Sequence, residues 1–343
     1  MLIELQEELR ADQLHPPAPG AASGFDRLRR KYLLAMNRLT GRAVIVYETA
    51  YLEPRPVHPD LITIHLGDVA GFMEAVSNVT ERELDLILHS PGGSAEAADS
   101  IVGYLRTRFD HIRVFVPLAA MSAATMMSLA ANEIVMGAHS QLGPIDPQFT
   151  LQTPEGLRSA PAQAIIDQFE MAKAECQDPK NITAWLPILR GYGPGLLSQC
   201  SHQRRLAEDL VAGWLERYML VGTTNAADEA RRIAAWFADF AAFKSHGRRV
   251  SRDDARAQGL VITDLEKDHD LQDAVLSVHH AVQHSIGATA VAKIVENHLG
   301  RAWLKSQQAQ LVLGGGGQLP RQQGGARPPS GPNLGGGRKR RRR

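Results

Sequence analysis

Cysteine is almost missing from this chain: there are two, Cys176 and Cys200, in 343 residues. Their number and spacing fit neither a disulfide framework nor a zinc site, so they read as ordinary thiols of a reducing compartment. Aromatic residues are also scarce, at 6%. Trp185, Trp214, Trp236 and Trp303 are scattered through helical patterns and read as core or interface rather than as stacking platforms. An excess of one charge is absent too, with 38 basic against 37 acidic residues. That balance excludes a chain that binds nucleic acid or anionic membrane by its overall field. Residues 114–137 are apolar enough to suggest a membrane span, but Pro117, Ser122, Ser128, Asn132 and Glu133 interrupt them. A span needs about 20 predominantly apolar residues, so a buried strand, turn and helix are expected and no transmembrane segment. Residues 1–10 are amphipathic with early acidic residues and lack the profile of a secretory signal, which predicts a cytoplasmic protein. Neither GxGxxG nor HExxH occurs. His280 and His284 have helical i, i+4 spacing but no evident further ligand, so neither cofactor nor metal is expected.

What is present suffices for one large or two modest domains, with 44% hydrophobic residues. Residues 1–24, with Pro16, Pro17, Pro19 and Gly20, are expected to form a loosely ordered leader. Residues 311–343 are rich in Gly, Pro and Arg and end in six consecutive basic residues. Such a segment cannot offset its ordering entropy by burial. It is expected to be a disordered tail, either plainly solvated or touching nucleic acid or an acidic surface through counterion release. The domain proper is therefore placed at 25–310. In its first half, β-branched and apolar runs at 43–47, 61–66, 84–89 and 112–116, with another starting at 133, alternate with helical patterns. Ala98, Ile101, Val102 and Leu105 make one such helical stripe. This alternation predicts an α/β fold, a mostly parallel sheet with helical crossovers. The C-terminal half reads as helical at 162–176, 206–220, 226–243 and 270–286.

Three segments carry the candidate chemistry. The first is His89-Ser90-Pro91-Gly92-Gly93-Ser94, between a buried strand and a helix. Adjacent glycines allow a sharp turn and leave an N–H uncovered by any Cβ, which can face a developing oxyanion. Ser94 is a plausible N-cap, and a plain tight turn is the alternative. The second runs from Leu118 to Met127 and holds Ser122 among small residues where a helix begins. A hydroxyl there gains from the helix N-terminus, although a serine N-cap in a small-residue core explains the pattern as well. The third, from Gly137 to Gln148, is a constrained loop with two prolines that either shapes a cleft or makes a structural turn.

Order and spacing together resemble the serine dehydrogenase proteinases, relatives of signal-peptide peptidase A and of the Clp proteolytic subunit. The residues that carry the resemblance are HSPGGSAEAADSI (89–101), AMSAATMMSLAANEIVMGAHSQLGPIDPQ (120–148), SHGRRVSRDDARAQGL (245–260) and LQDAVLSVHHA (271–281). The resemblance implies a Clp protease/crotonase-like fold and a serine peptidase acting on peptide or protein substrates through a Ser122 acyl-enzyme. It implies an oxyanion hole from Gly93, with Gly92 beside it, and Ala123, and a cleft bordered by Asp146. It also implies a homo-oligomer. A serine needs a base within hydrogen-bond reach, and several are open. Lys173 would complete a Ser–Lys dyad like that of signal-peptide peptidase A, with Lys180 as a weaker substitute. His139 would serve a Ser–His arrangement, and His246, in a Ser-His-Gly turn, is a further candidate. Two other functions compete: a crotonase-like acyl-CoA enzyme, and a non-catalytic scaffold of the same fold.

Overall fold

Strand β1 (Ala43–Thr49) is buried along its whole length, and its side chains alternate between two cores. Ile45 and Tyr47 enter one core, while Val44 and Val46 enter the other. A strand covered on both faces reads as a continuous apolar run for this reason. Strands β2 (Glu83–His89) and β3 (His111–Val116) repeat the pattern: Leu84, Leu86, Val114 and Val116 face the first core, and Ile87 and Phe115 the second. The short β4 (Ala119–Ala120) precedes β5 (Glu133–Met136), and β6 (Gln141–Leu142) pairs with β4. Strands β7 (Gln148–Thr153) and β8 (Gly156–Pro161) form an outlying hairpin. Strands β9 (Ile262–Asp264), β10 (Val291–Asn297) and β11 (Ala302–Ser306) complete a seven-stranded sheet in the order β11-β10-β1-β2-β3-β5-β9.

From β1 through β9 this sheet is parallel; β10 runs antiparallel to β1, and β11 antiparallel to β10. The first core lies under the helices Asp68–Val76, Ala95–Arg108, Ala123–Leu129, Leu196–Trp214 and Ala226–Ala238. The helices Gly24–Thr40 and His269–Ala288 cover the second. This computed structural model describes residues 2–15, 18, 22–153 and 156–307. The basic tail and its supposed partners lie outside the described residues. Among the described residues, no helix is long and apolar enough to cross a membrane.

Three local expectations need correction. Residues 61–66 do not make a strand. Pro59 stands at the first turn of a short helix, Pro59–Ile62, and His58 caps it, so only Ile64 is left to bridge to Gly93. Within the expected loose leader, Leu2–Leu14 is helical, and Glu8 and Asp12 both pair with Arg27. The C-terminal half is mostly helical, as expected, but it also supplies the unexpected strands β9, β10 and β11, which extend both edges of the sheet.

Candidate active site

In parallel α/β sheets, ligands bind beyond the carboxyl ends of the strands. The chain leaves β2 into Ser90-Pro91-Gly92-Gly93, β3 into Ala119–Ser122, and β5 into the loop that holds Asp146. Ser122 stands between β4 and the helix Ala123–Leu129 with φ 51° and ψ −119°. A non-glycine residue held at positive φ costs about 1–3 kcal/mol and persists only where its surroundings fix it. Here Ser90 N–H donates to Ala119 O at 3.1 Å and Met121 N–H to Ser90 O at 3.0 Å, tying the elbow to the end of β2. The Thr125 hydroxyl donates to Ala120 O at 2.7 Å and accepts from Gly143 N–H at 3.0 Å, tying it to the third segment. The helix after Ser122 is only seven residues long, so the elbow's electrostatic asset is the nearby amide rather than a long helix dipole.

The two glycines divide the work. A Cβ on Gly92, which has φ 95°, would stand 2.5 Å from Met121 O and 2.7 Å from Ser122 Cβ. Only glycine lets this turn lean on the serine elbow. Gly92 N–H is taken by Ser90 Oγ at 3.2 Å. On either side of Gly93, Gly92 O accepts from Ile64 N–H at 2.7 Å and Ser94 N–H donates to Ile64 O at 2.9 Å. The amides of Gly93 and Ala123 have no hydrogen-bond partner among the described residues. Of the two glycines, Gly93 is thus the one with a free donor.

His246 lines the same cleft as these glycines. Its Nδ1 lies 2.8 Å from Asp146 Oδ1, and Gln148 Nε2 donates to Asp146 Oδ2 at 2.7 Å. The Asp146 side chain is 3% exposed and that of His246 28%: the carboxylate is sealed in, while the imidazole reaches the cleft. A carboxylate only accepts, so His246 Nδ1 is the donor of this bond, and in the neutral ring Nε2 is the acceptor. The pairing of Leu142 with Val250, 3.0 Å from N to O and 2.9 Å in return, joins the Asp146 loop to the His246 turn. Ser122, Gly92, Gly93 and His246 line one cleft of about 420 Å³, with Thr63, Met126, Ile145 and Phe149 among its other walls.

The remaining expected bases stand elsewhere. Lys173 is on the helix Ala162–Glu175, 62% exposed and paired with Glu170 at 2.7 Å, and it is not a cleft residue. Lys180 is exposed on a neighbouring turn and is likewise outside the cleft. His139 is exposed, its Nε2 lies 2.9 Å from Pro117 O, and it too is absent from the cleft wall. Of the bases expected from the sequence, Lys173 and His139 do not line this cleft, and His246 does. His246 lies 100 residues from Asp146 in sequence. The one available signal was the small-residue turn Ser245-His246-Gly247, which does not reveal its partner.

Residues 59–184 match the family described as ClpP-like SDH-type serine proteinase. The part of the chain that is similar to that family includes Ser122, the diglycine turn and Asp146; His246 lies beyond the matched span. The family is one of serine peptidases, and the sheet with its crossovers is a ClpP-like fold. Two curated relatives from Methanocaldococcus jannaschii are similar. The uncharacterized protein MJ0137 is 36% identical over 102 residues, 30% of this chain and 33% of the relative. The uncharacterized protein MJ1495 is 42% identical over 86 residues, 25% of this chain and 30% of the relative. The chain thus spans about a third of the length of the curated relatives it matches. Among solved structures, the S97A mutant of the 1510-N membrane-bound stomatin-specific protease is similar at 13% identity and a TM-score of 0.35, over 59% of this chain and 74% of that one.

Proposed function

We propose that this protein is a serine peptidase with Ser122 as nucleophile, His246 as general base and Asp146 as the residue that orients the base. The observation that carries this reading is the His246–Asp146 pair at 2.8 Å on the wall of the cleft that also holds Ser122 in its positive-φ elbow. In this mechanism, Ser122 Oγ attacks a peptide carbonyl carbon and passes its proton to His246 Nε2. The carbonyl oxygen becomes an oxyanion and takes hydrogen bonds from the Gly93 and Ala123 amides. Collapse expels the amine, which receives the proton from His246 and leaves an acyl ester on Ser122. Water, deprotonated by His246, then attacks that ester, and the acid leaves as Ser122 Oγ takes the proton back from His246. Asp146 keeps Nδ1 protonated and stabilises the imidazolium that forms in each half.

An acyl-CoA substrate would need a cationic partner for its phosphates. Among the described residues that line the cleft there is no lysine or arginine, which favours a peptide. The sequence similarity to a serine proteinase family over residues 59–184 supports the same choice. The reading includes a cytoplasmic location, consistent with two free cysteines, and assembly into a homo-oligomer, which light scattering on the full chain would test. The direct test is labelling with a fluorophosphonate probe. The wild type should label and hydrolyse a fluorogenic peptide, and Ser122→Ala should do neither. Equal labelling of the two proteins would end the assignment of Ser122.

A further inference from the structure

Lys293 lies on β10 opposite Thr49 of β1, and it is fully buried. An ammonium group removed from water costs several kcal/mol unless it is paired and its remaining protons find acceptors. Burial holds its pKa below the ordinary lysine value, against the opposing pull of Asp68. Its Nζ donates to Asp68 Oδ2 at 2.7 Å and to the backbone oxygen of Thr63 at 2.8 Å. Asp68 is buried as well and caps the same segment from the other side: His65 N–H donates to Asp68 Oδ2 at 3.2 Å, and the Tyr47 hydroxyl donates to that oxygen at 2.7 Å.

One residue, Ile64, lies between the two pinned positions, and it bridges to Gly93. Its N–H and carbonyl engage Gly92 O and Ser94 N–H, so the Ile64 backbone brackets the glycine whose amide is free. The approach is close enough that a Cβ on Gly93 would collide with Ile64 O and N. We infer that Lys293, together with Asp68, is a positioning residue for the oxyanion hole: it clamps the Thr63–His65 backbone, and that backbone fixes the Gly93 amide beside Ser122. This role rests on the peptidase reading above and adds to it a distant, fully buried determinant of turnover.

The test uses the full chain and the double variant Lys293→Met/Asp68→Asn, which removes both buried charges together and leaves only the partly exposed Lys305 without its carboxylate. Tyr47→Phe is the comparison, because it removes a bond to Asp68 but leaves the Thr63 clamp in place. The double variant should fold, as thermal melting would report, and should exchange the Ile64 and Ser94 amides faster with solvent. Its kcat should fall about 10- to 100-fold, as for a small misplacement of a catalytic donor, while KM moves less than about threefold. Tyr47→Phe should melt earlier and keep kcat within about twofold. A folded double variant with unchanged kcat and unchanged exchange would overturn the inference. If the wild type shows no Ser122-dependent hydrolysis, the peptidase reading fails separately, and the exchange rates alone decide whether Lys293 holds the strap. Should the double variant not fold, Lys293→Arg, which keeps a donor, is measured in the same way; a loss of kcat there without faster exchange would also overturn the inference.

Discussion

Among the described residues, two of the histidine–carboxylate pairs have nearly the same geometry. His246 Nδ1 lies 2.8 Å from Asp146 Oδ1, and His279 Nδ1 lies 2.9 Å from Glu48 Oε1. A glutamine holds the second carboxylate oxygen in each, Gln148 at 2.7 Å and Gln283 at 2.6 Å. Only the surroundings differ. His246 is partly open to a cleft it shares with Ser122, whereas His279 is 8% exposed and meets His89 edge-on, ring centres 5.5 Å apart. Burial works against the charge on His279, yet Glu48 outweighs it and holds the imidazole above its ordinary pKa. Burial pushes the neighbouring His89 down. A histidine–carboxylate pair is therefore not a catalytic signature by itself. The pair in the cleft can move a proton to and from a substrate, and the buried pair joins the helix His269–Ala288 to β1.

The largest expected effects separate the two pairs. His246→Ala should lower kcat for a fluorogenic peptide by about ten-thousand-fold or more. Asp146→Asn should cost about as much, since it allows the wrong imidazole tautomer while keeping the geometry. Circular dichroism should show both variants folded. Wild-type turnover in Asp146→Asn would erase the functional contrast between the two pairs.

A smaller effect of another kind is expected from His279→Gln. Removing one member of a buried pair costs about 3–5 kcal/mol in stability, while kcat should stay within about threefold. Since His279 is held above its unfolded-state pKa, the folded protein binds the proton more tightly. Its contribution is complete below the unfolded value and fades as pH rises through the folded value. His89 is shifted the other way, so its own contribution appears as pH rises. The difference between variant and wild type reports His279 together with its push on His89: the stability gap in urea unfolding should be wider below the ordinary histidine pKa than well above it. A gap that widens with pH would show that the pair does not hold its proton as described.

Much of the contrast was legible in the sequence on one side only. Ser122 with its small neighbours, the diglycine turn and the loop to Asp146 follow successive strand ends, and each is local, so the order of motifs placed them together. The strands at 43–47, 84–89 and 112–116 were legible for the same reason, as apolar runs covered on both faces. The partner of His246 was not, because His246 approaches Asp146 through the Leu142–Val250 pairing, a contact between distant segments. The antiparallel edge was missed as well: β10 carries Lys293 and Glu296 in buried positions, and their polarity hides a strand whose charges are all paired inside. At 61–66 the apolar pattern suggested a strand, but Pro59 and the His58 cap turned its first part into helix.

The smallest expected effect concerns the lysine that the sequence favoured. Lys173 and Glu170 form an i, i+3 pair with side chains 62% and 58% exposed. A pair this solvated contributes about 0–1 kcal/mol, because water screens the attraction and two long side chains must be held in place. Lys173→Ala should therefore leave fluorophosphonate labelling of Ser122 and peptide turnover within about twofold of wild type, with little change in melting temperature. Ser–Lys chemistry predicts the opposite, a collapse of both rates with the fold intact. Combined with His246→Ala, the variant makes the decision sharper. If His246 is the base, the double variant is no slower than His246→Ala alone. If Lys173 reached Ser122 from a second copy of the chain, its removal would by itself abolish turnover, and the cleft pair would be left as structural as the buried one.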